Sequence, residues 1–291
     1  MKLTEINIFP IKSLKGISVE SAAVEPRGLR NDRRWMLIDG SQTFMTQRDF
    51  PQMATINVGV DDELLYVTAD GFGTLELPLM PETGDRRQLE VWGNPCEGEA
   101  YEAVINEWFS DAVGEPCELV YMPDDARRGI SELFNQNDEI VSFADGYPLL
   151  VIGEASLADL NTHILTSERE AGRLADYRPL PMNRFRPNIV VDGSEPFAED
   201  HWKRIRVGDA IFRSTKPCAR CVMTTVDQAR GEFDGKEPLK TLASYRSAQH
   251  AIPDTYESLG MSASAVLFGQ NLVGESIGAT IKVGDEVSVI E

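Results

Sequence analysis

Two of the four cysteines, Cys218 and Cys221, stand three positions apart in "KPCARCVMTTVD", between Lys216 and Arg220 and ahead of a β-branched run. Several chemistries use such a pair. A structural zinc or iron–sulfur site needs four protein ligands. The other cysteines, Cys96 and Cys117, are single and distant in sequence, and His163, His201 and His250 are not paired at ligand spacing. The same three histidines give a Ser-His-Asp triad little to draw on. A thiol–disulfide centre using Cys218 and Cys221 wants the pair at a helix N-terminus, whereas "VMTTV" predicts strand. The pair could also be two small buried hydrophobes. Lys216 and Arg220 favour thiolate over thiol, and a soft thiolate in a basic loop suits a transition metal whose other ligands come from an anionic cofactor.

The charge distribution bears on that last reading. The chain carries −19 overall, so it is no polyanion binder and no nucleic-acid polymer is expected. Yet residues 1–50 are net +2 and residues 181–230 are net +3. Two basic windows far apart in an acidic chain are either local fluctuation or two halves of one anion site.

The elements around these residues are mostly strands. "LTEINIFPIKS" alternates and stops at Pro10, and "RRWMLIDGSQTFMTQ" is a hairpin around Asp39-Gly40. Residues 54–79 form a meander with turns at Asp61-Asp62 and Asp70-Gly71. "RQLEVWG", "CELVYM", "YPLLVIG" and "PNIVVDG" each predict a strand. Helical spacing appears at Val104, Ile105, Trp108, Phe109 and Ala112, closed by Gly114. It appears again in "EASLADLNTHILTS", with Ala155, Leu157, Leu160 and Ile164 on or near one face, and in "PLKTLASYRSA". "IRVGDAIF" and "IKVGDEVSV" share one design, strand, Gly-Asp turn, strand, as in small closed barrels. The fold class expected is mixed α+β and strand-dominated. An N-terminal β-rich domain (1–125) precedes a C-terminal β-barrel domain with a few helices (126–291). No apolar run reaches the roughly 20 residues of a membrane span. Glu5 and Asn7 interrupt the place of a signal peptide's apolar stretch, so a cytoplasmic protein with no membrane association is expected.

"FPIKSLKG", "DRRWMLID", "TQRDFPQM", "SFADGYPLLVIGEASLADLN", "FRPNIVV", "KPCARCVMTTVD" and "FGQN…GATIKVGDEV" together resemble the MOSC-domain family, nearest to its YcbX-type and mitochondrial amidoxime-reducing members. The resemblance covers nearly the whole chain, in order. It implies a molybdenum cofactor, a pterin with a dithiolene and a phosphate, held between the two domains. It makes Cys221 the protein ligand to the metal, and Cys218 a non-ligand. It also implies cofactor contacts from Lys12, Ser13, Arg33, Arg48, Asp145, Arg186, Asn188, Arg220 and Thr224. Ala144 and Gly146 replace hydroxyl residues of the family's Ser-Asp-Thr loop.

The implied activity is reduction of small N-hydroxylated compounds, such as hydroxylamino bases and amidoximes, to amines by oxygen-atom abstraction at molybdenum. Cys221 and Asp145 are the expected catalytic residues, Asp145 either as a proton relay or as a pterin contact. The C-x4-C-x2-C pattern of a plant-type iron–sulfur domain is missing from this sequence. Electrons would then come from a separate ferredoxin or flavoprotein reductase, or from a ferredoxin domain beyond the sequence in hand. The alternative functions are a cofactor carrier or sulfur-handling protein without net substrate reduction, and the thiol–disulfide protein.

Overall fold

The computed structural model describes residues 1–291, apart from the side chain of Asp176. Its largest sheet has eight strands, in the order Ile17–Val19, Lys2–Ile8, Ile189–Asp192, Leu149–Gly153, Leu267–Gly274, Ala210–Ala219, Arg204–Val207, Val287–Val289. All neighbours are antiparallel except Leu149–Gly153 and Ile189–Asp192. That parallel pair needs a crossover, and the helix Glu154–Glu170 supplies it. Alternation sorts the side chains. Leu149 and Val151 point into one core with Ile6, Phe212 and Leu272, while Leu150 and Ile152 meet Leu160 and Ile164 of the crossover helix. Both faces of this strand are covered, which is why "LLVIG" is continuously apolar.

The other lobe combines a four-stranded sheet, a three-stranded meander and the helix Ala103–Val113. In the four-stranded sheet, Trp35–Ile38 pairs with Glu118–Tyr121, which pairs with Asn94–Ala100, which pairs with Arg86–Val91. The meander runs through Asn57–Val60, Leu64–Ala69 and Gly73–Pro78. Gly114 ends the helix with φ +86°, the left-handed position that favours glycine. Among the described residues, no helix is long and apolar enough to cross a membrane.

Four features depart from the sequence reading. Lys2–Ile8 and Ile17–Val19 lie in the eight-stranded sheet, so the chain starts in the second lobe before it builds the first. "IRVGDAIF" is a tight hairpin, with Val207 opposite Ala210. "IKVGDEVSV" is not, because Thr280–Lys282 pairs with Ser21–Glu25 and Val287–Val289 pairs with Arg204–Val207. The turn between them is held by the chain's own start: Leu3 N–H donates to Asp285 O and Gly284 N–H to Leu3 O. Val104 is 70% exposed; Ile105, Phe109 and Val113 face the core instead. Finally, Val222–Thr225 forms a single 3-10 turn rather than a strand.

Candidate functional site

Five loops converge between the lobes. Ile11 and Leu14 are both fully buried in the first lobe's core, which pins Lys12 and Ser13 at the apex of the turn between them. Lys12 N–H donates to Trp35 O at 2.8 Å, tying this turn to the strand that follows Arg33. The loop around Asp145 is fastened to the same segment, as Ser142 Oγ donates to Asp32 O and Phe143 N–H to Arg33 O. Phe185, at the heart of the crossover-helix core, fixes the "FRPN" loop. The fifth loop follows Ala210–Ala219 and carries Cys221.

The cavity these loops enclose is lined by all ten residues singled out from the sequence: Lys12, Ser13, Arg33, Arg48, Asp145, Arg186, Asn188, Arg220, Cys221 and Thr224. Six basic side chains border it against one carboxylate, the sixth being Arg184. Asp32 and Asp234, just outside the lining, pair with Arg33 and Arg184, so in a molecule of net −19 the cavity keeps a positive excess centred on Arg186 and Arg220. Three of the lining residues, Ser13 (φ 66°), Arg33 (φ 50°) and Arg186 (φ 55°), hold left-handed backbone. None is a type that favours it, and each costs on the order of 1–2 kcal/mol.

Asp145 carries the densest contacts. Lys12 Nζ lies 2.5 Å from Oδ1 and Arg48 Nη2 lies 3.1 Å from Oδ2. The carboxylate sits deep in the protein, yet 53% of the side chain is accessible, because the surface it meets is the cavity. Burial works against its charge, but Lys12 and Arg48 outweigh burial and hold it far below the usual carboxylate range. Such a group accepts hydrogen bonds at neutral pH and has no proton to give, which argues against a relay role. Lys12, itself buried, has its pKa lowered by desolvation despite Asp145. Arg48 is raised: burial opposes its charge, but Asp145 and the neighbouring Cys221 sulfur outweigh it.

At the other end, Arg33 and Arg186 crowd around Phe9. Each guanidinium carbon is 4.2 Å from the ring centroid. Arg33 is neutralised by Asp32 at 2.5 Å and is also held by Asn188 Oδ1 at 2.9 Å. Arg186 is buried, and its one side-chain hydrogen bond among the described residues is a long 3.5 Å contact to Gln228. Desolvation, then Arg33, pushes its pKa well below the ordinary guanidinium value. A buried cation without a carboxylate is costly unless a ligand supplies the charge.

The family models match this architecture at both ends: the MOSC N-terminal beta barrel domain at residues 1–116 and the MOSC domain at residues 138–288. The chain belongs to the MOSC family. This MOSC protein is 33% identical over 298 residues to mitochondrial amidoxime-reducing component 1 of Homo sapiens, covering 99% of this chain and 82% of that one. It is also 33% identical to mitochondrial amidoxime reducing component 2 of Bos taurus, covering 98% and 82%. Molybdenum cofactor sulfurase of Oryza sativa subsp. japonica is 34% identical over 255 residues. That match takes in 84% of this chain but only 31% of the sulfurase.

Within the MOSC cavity the ten residues divide by what their polar atoms do. Asn188 is 1% exposed and its amide is spent on protein: Oδ1 accepts from Arg33 and Leu150 N–H, and Nδ2 donates to Asn7 O. It positions Arg33 rather than presenting a free contact. Thr224 Oγ1 donates to Cys221 O at 3.0 Å and shapes the thiol loop from within. Arg220 donates to Phe185 O at 2.7 Å and to Cys218 Sγ at 3.0 Å, so its guanidinium serves Cys218, not Cys221. Both cysteines are free and partly exposed.

Phe9 and the Gln47–Gln228 pair were not singled out by the sequence. Gln47 donates to Ser13 O at 2.7 Å, and Gln228 donates back to Gln47 Oε1 at 2.8 Å, joining the two lobes beneath Arg186. Only Phe9's place beside Pro10 in "FPIKS" hinted at a role. Glutamine and phenylalanine carry no charge pattern that could have marked them.

Proposed function

We propose that this MOSC protein binds the molybdenum cofactor in the cavity, with Cys221 as the protein ligand to the metal, and reduces N-hydroxylated compounds to amines. One observation carries the reading: buried Arg186, with no carboxylate partner among the described residues, lines the same cavity as a free thiol. An anionic ligand with an affinity for thiolate fits that pair of demands. Among the described residues, no three His, Cys, Asp or Glu side chains group to hold a metal unaided. A metal at Cys221 would therefore take its other ligands from the cofactor.

When bound, the cofactor supplies the two-electron chemistry that removes oxygen from an N–OH group. The protein's residues do the rest. Arg186, braced on Phe9 beside the Asp32-paired Arg33, suits the phosphate end. Lys12 and Arg48 suit acceptor oxygens near Cys221, and Asp145 keeps both cations aimed. Asp145 remains ionised, so the protons consumed in forming the amine and water come from solvent or substrate. Electrons come from a separate ferredoxin or flavoprotein reductase, and the acidic remainder of the surface suits a donor with a basic face.

The test is molybdenum content and amidoxime reduction with a chemical reductant, on protein made in a cofactor-producing host. Cys221→Ser is expected to lose both, and Cys218→Ser to keep most of both. Bound molybdenum without reduction would instead favour a carrier or sulfur-handling role, matching the sulfurase relative. Equal loss in both variants, with no metal, would favour a thiol–disulfide protein.

A further inference from the structure

The hairpin joining Arg86–Val91 to Asn94–Ala100 has a two-residue loop, Trp92-Gly93, because Val91 pairs with Asn94. Both loop residues have positive φ, 52° and 79°. This is the primed turn that Asn-Gly and Asp-Gly adopt easily, and a bulky aromatic is the wrong residue for it. Asn94 already ties the loop with its own side chain, donating to Val91 O and Trp92 O. The turn therefore gains nothing from tryptophan, and a strained position of this kind points to a task for the side chain.

Its surroundings indicate which task. The Arg48 guanidinium carbon is 4.8 Å from the centroid of the Trp92 ring, and Arg48 is the residue that contacts Asp145 and neighbours Cys221. Phe44 meets the ring edge-to-face at 5.1 Å, and Lys12 Nζ sits 5.3 Å from the Phe44 centroid. Trp92 is thus anchored to the cations of the cavity on one side. Yet it remains 51% exposed, a large aromatic surface open to solvent next to Arg48, which lines the cavity. On the thiol loop itself, Val222, the residue after Cys221, is 43% exposed and leaves an apolar side chain open to solvent.

We propose that Trp92 is a specificity residue that stacks a planar, conjugated substrate over the mouth of the cavity, favouring N-hydroxylated aromatic bases and aryl amidoximes over acyclic N-hydroxy compounds. This rests on the proposed reductase reading. It adds the shape of the substrate, which neither Cys221 nor the arginines specify.

The informative variant is Trp92→Asn, because asparagine suits the turn better than tryptophan and the hairpin keeps its fold. Its thermal midpoint is expected to equal or exceed wild type. The KM for a hydroxylamino purine is expected to rise roughly tenfold relative to that for an acyclic amidoxime, the scale of one lost base–aromatic stack. Trp92→Phe should restore most of the difference. A second readout is independent of turnover: adenine, which has no N–OH group, should quench tryptophan fluorescence of the wild type and not of Trp92→Phe. Quenching without any reduction would overturn the reductase reading and leave the stacking site standing. Reduction with an unchanged KM ratio, or no Trp92-dependent quenching, would overturn the stacking role.

Discussion

Arg33 and Arg186 come from opposite ends of the sequence and crowd around one ring, each 4.2 Å from the centroid of Phe9, but only Arg33 has a carboxylate of its own. The asymmetry separates a permanent structural ion pair from a charge left for a ligand. It also explains why the "FRPN" loop tolerates a left-handed arginine: the backbone strain places a guanidinium where an anion can reach it.

Replacing Arg186 therefore has opposite effects on stability and on cofactor retention. Arg186→Met should raise the stability of cofactor-free protein by about 1–2 kcal/mol, since an uncompensated buried charge gives way to an apolar chain of similar length. Molybdenum content after purification should fall severalfold. Urea unfolding and metal analysis check the two halves, and a destabilised variant would mean that Arg186 is paired in a way the cavity does not display.

Asn188 should behave in the reverse sense. Asn188→Ala leaves Leu150 N–H and Asn7 O without this partner, and Arg33 Nη1 with Asp32 alone, in a site that is 1% exposed. The expected loss is about 2–4 kcal/mol of stability, seen in denaturant midpoints. Any loss of cofactor should track loss of folded protein.

Asp145 decides between positioning and proton transfer. Its carboxylate is ionised far below neutrality, so it contributes no limb to a rate profile between pH 5 and 8. Asp145→Asn should lower the rate at every pH, by leaving Lys12 and Arg48 without their shared carboxylate, and should not move any inflection. A displaced inflection would assign proton transfer to Asp145.

Acid stability should depend on Glu139, which does not line the cavity. Burial works against its charge, but hydrogen bonds from Asn137 and Gln136 N–H and from Arg213 hold its pKa down at about 2. The sign follows from that depression. The contribution is fully present above the unfolded value of about 4.3 and is lost as pH falls from there toward 2. Glu139→Gln should be less stable than wild type at pH 7, and thermal midpoints of the two should converge through that window.

Much of the fold was legible because its signals are local. Alternation marked the strands, and Asp-Gly and Gly-Asp pairs marked turns. The helix Ala103–Val113 showed its spacing, although period alone placed Val104 on the wrong side, since a helix's apolar stripe is only as wide as the surface it meets. The two "VGD" segments look alike in sequence and part company in space. Only pairing partners supplied by distant strands decide whether a turn closes a hairpin.

For the site, the residue types were determined by the sequence alone: two basic windows in an acidic chain, a thiol pair between cations, and motifs shared with a family. Which of those side chains remain available to a ligand was decided by tertiary structure. Arg33 and Arg34 are neighbours, yet Arg33 turns to the cavity and Arg34 packs on Tyr121 with Asp124. Arg220 is spent on Cys218 and Phe185, Asn188 on Arg33, and Arg186 alone of these is left without a close partner. Charge is a property of composition, but whether a charge is already satisfied depends on atoms within about 4 Å, and those atoms arrive from residues far apart in the chain.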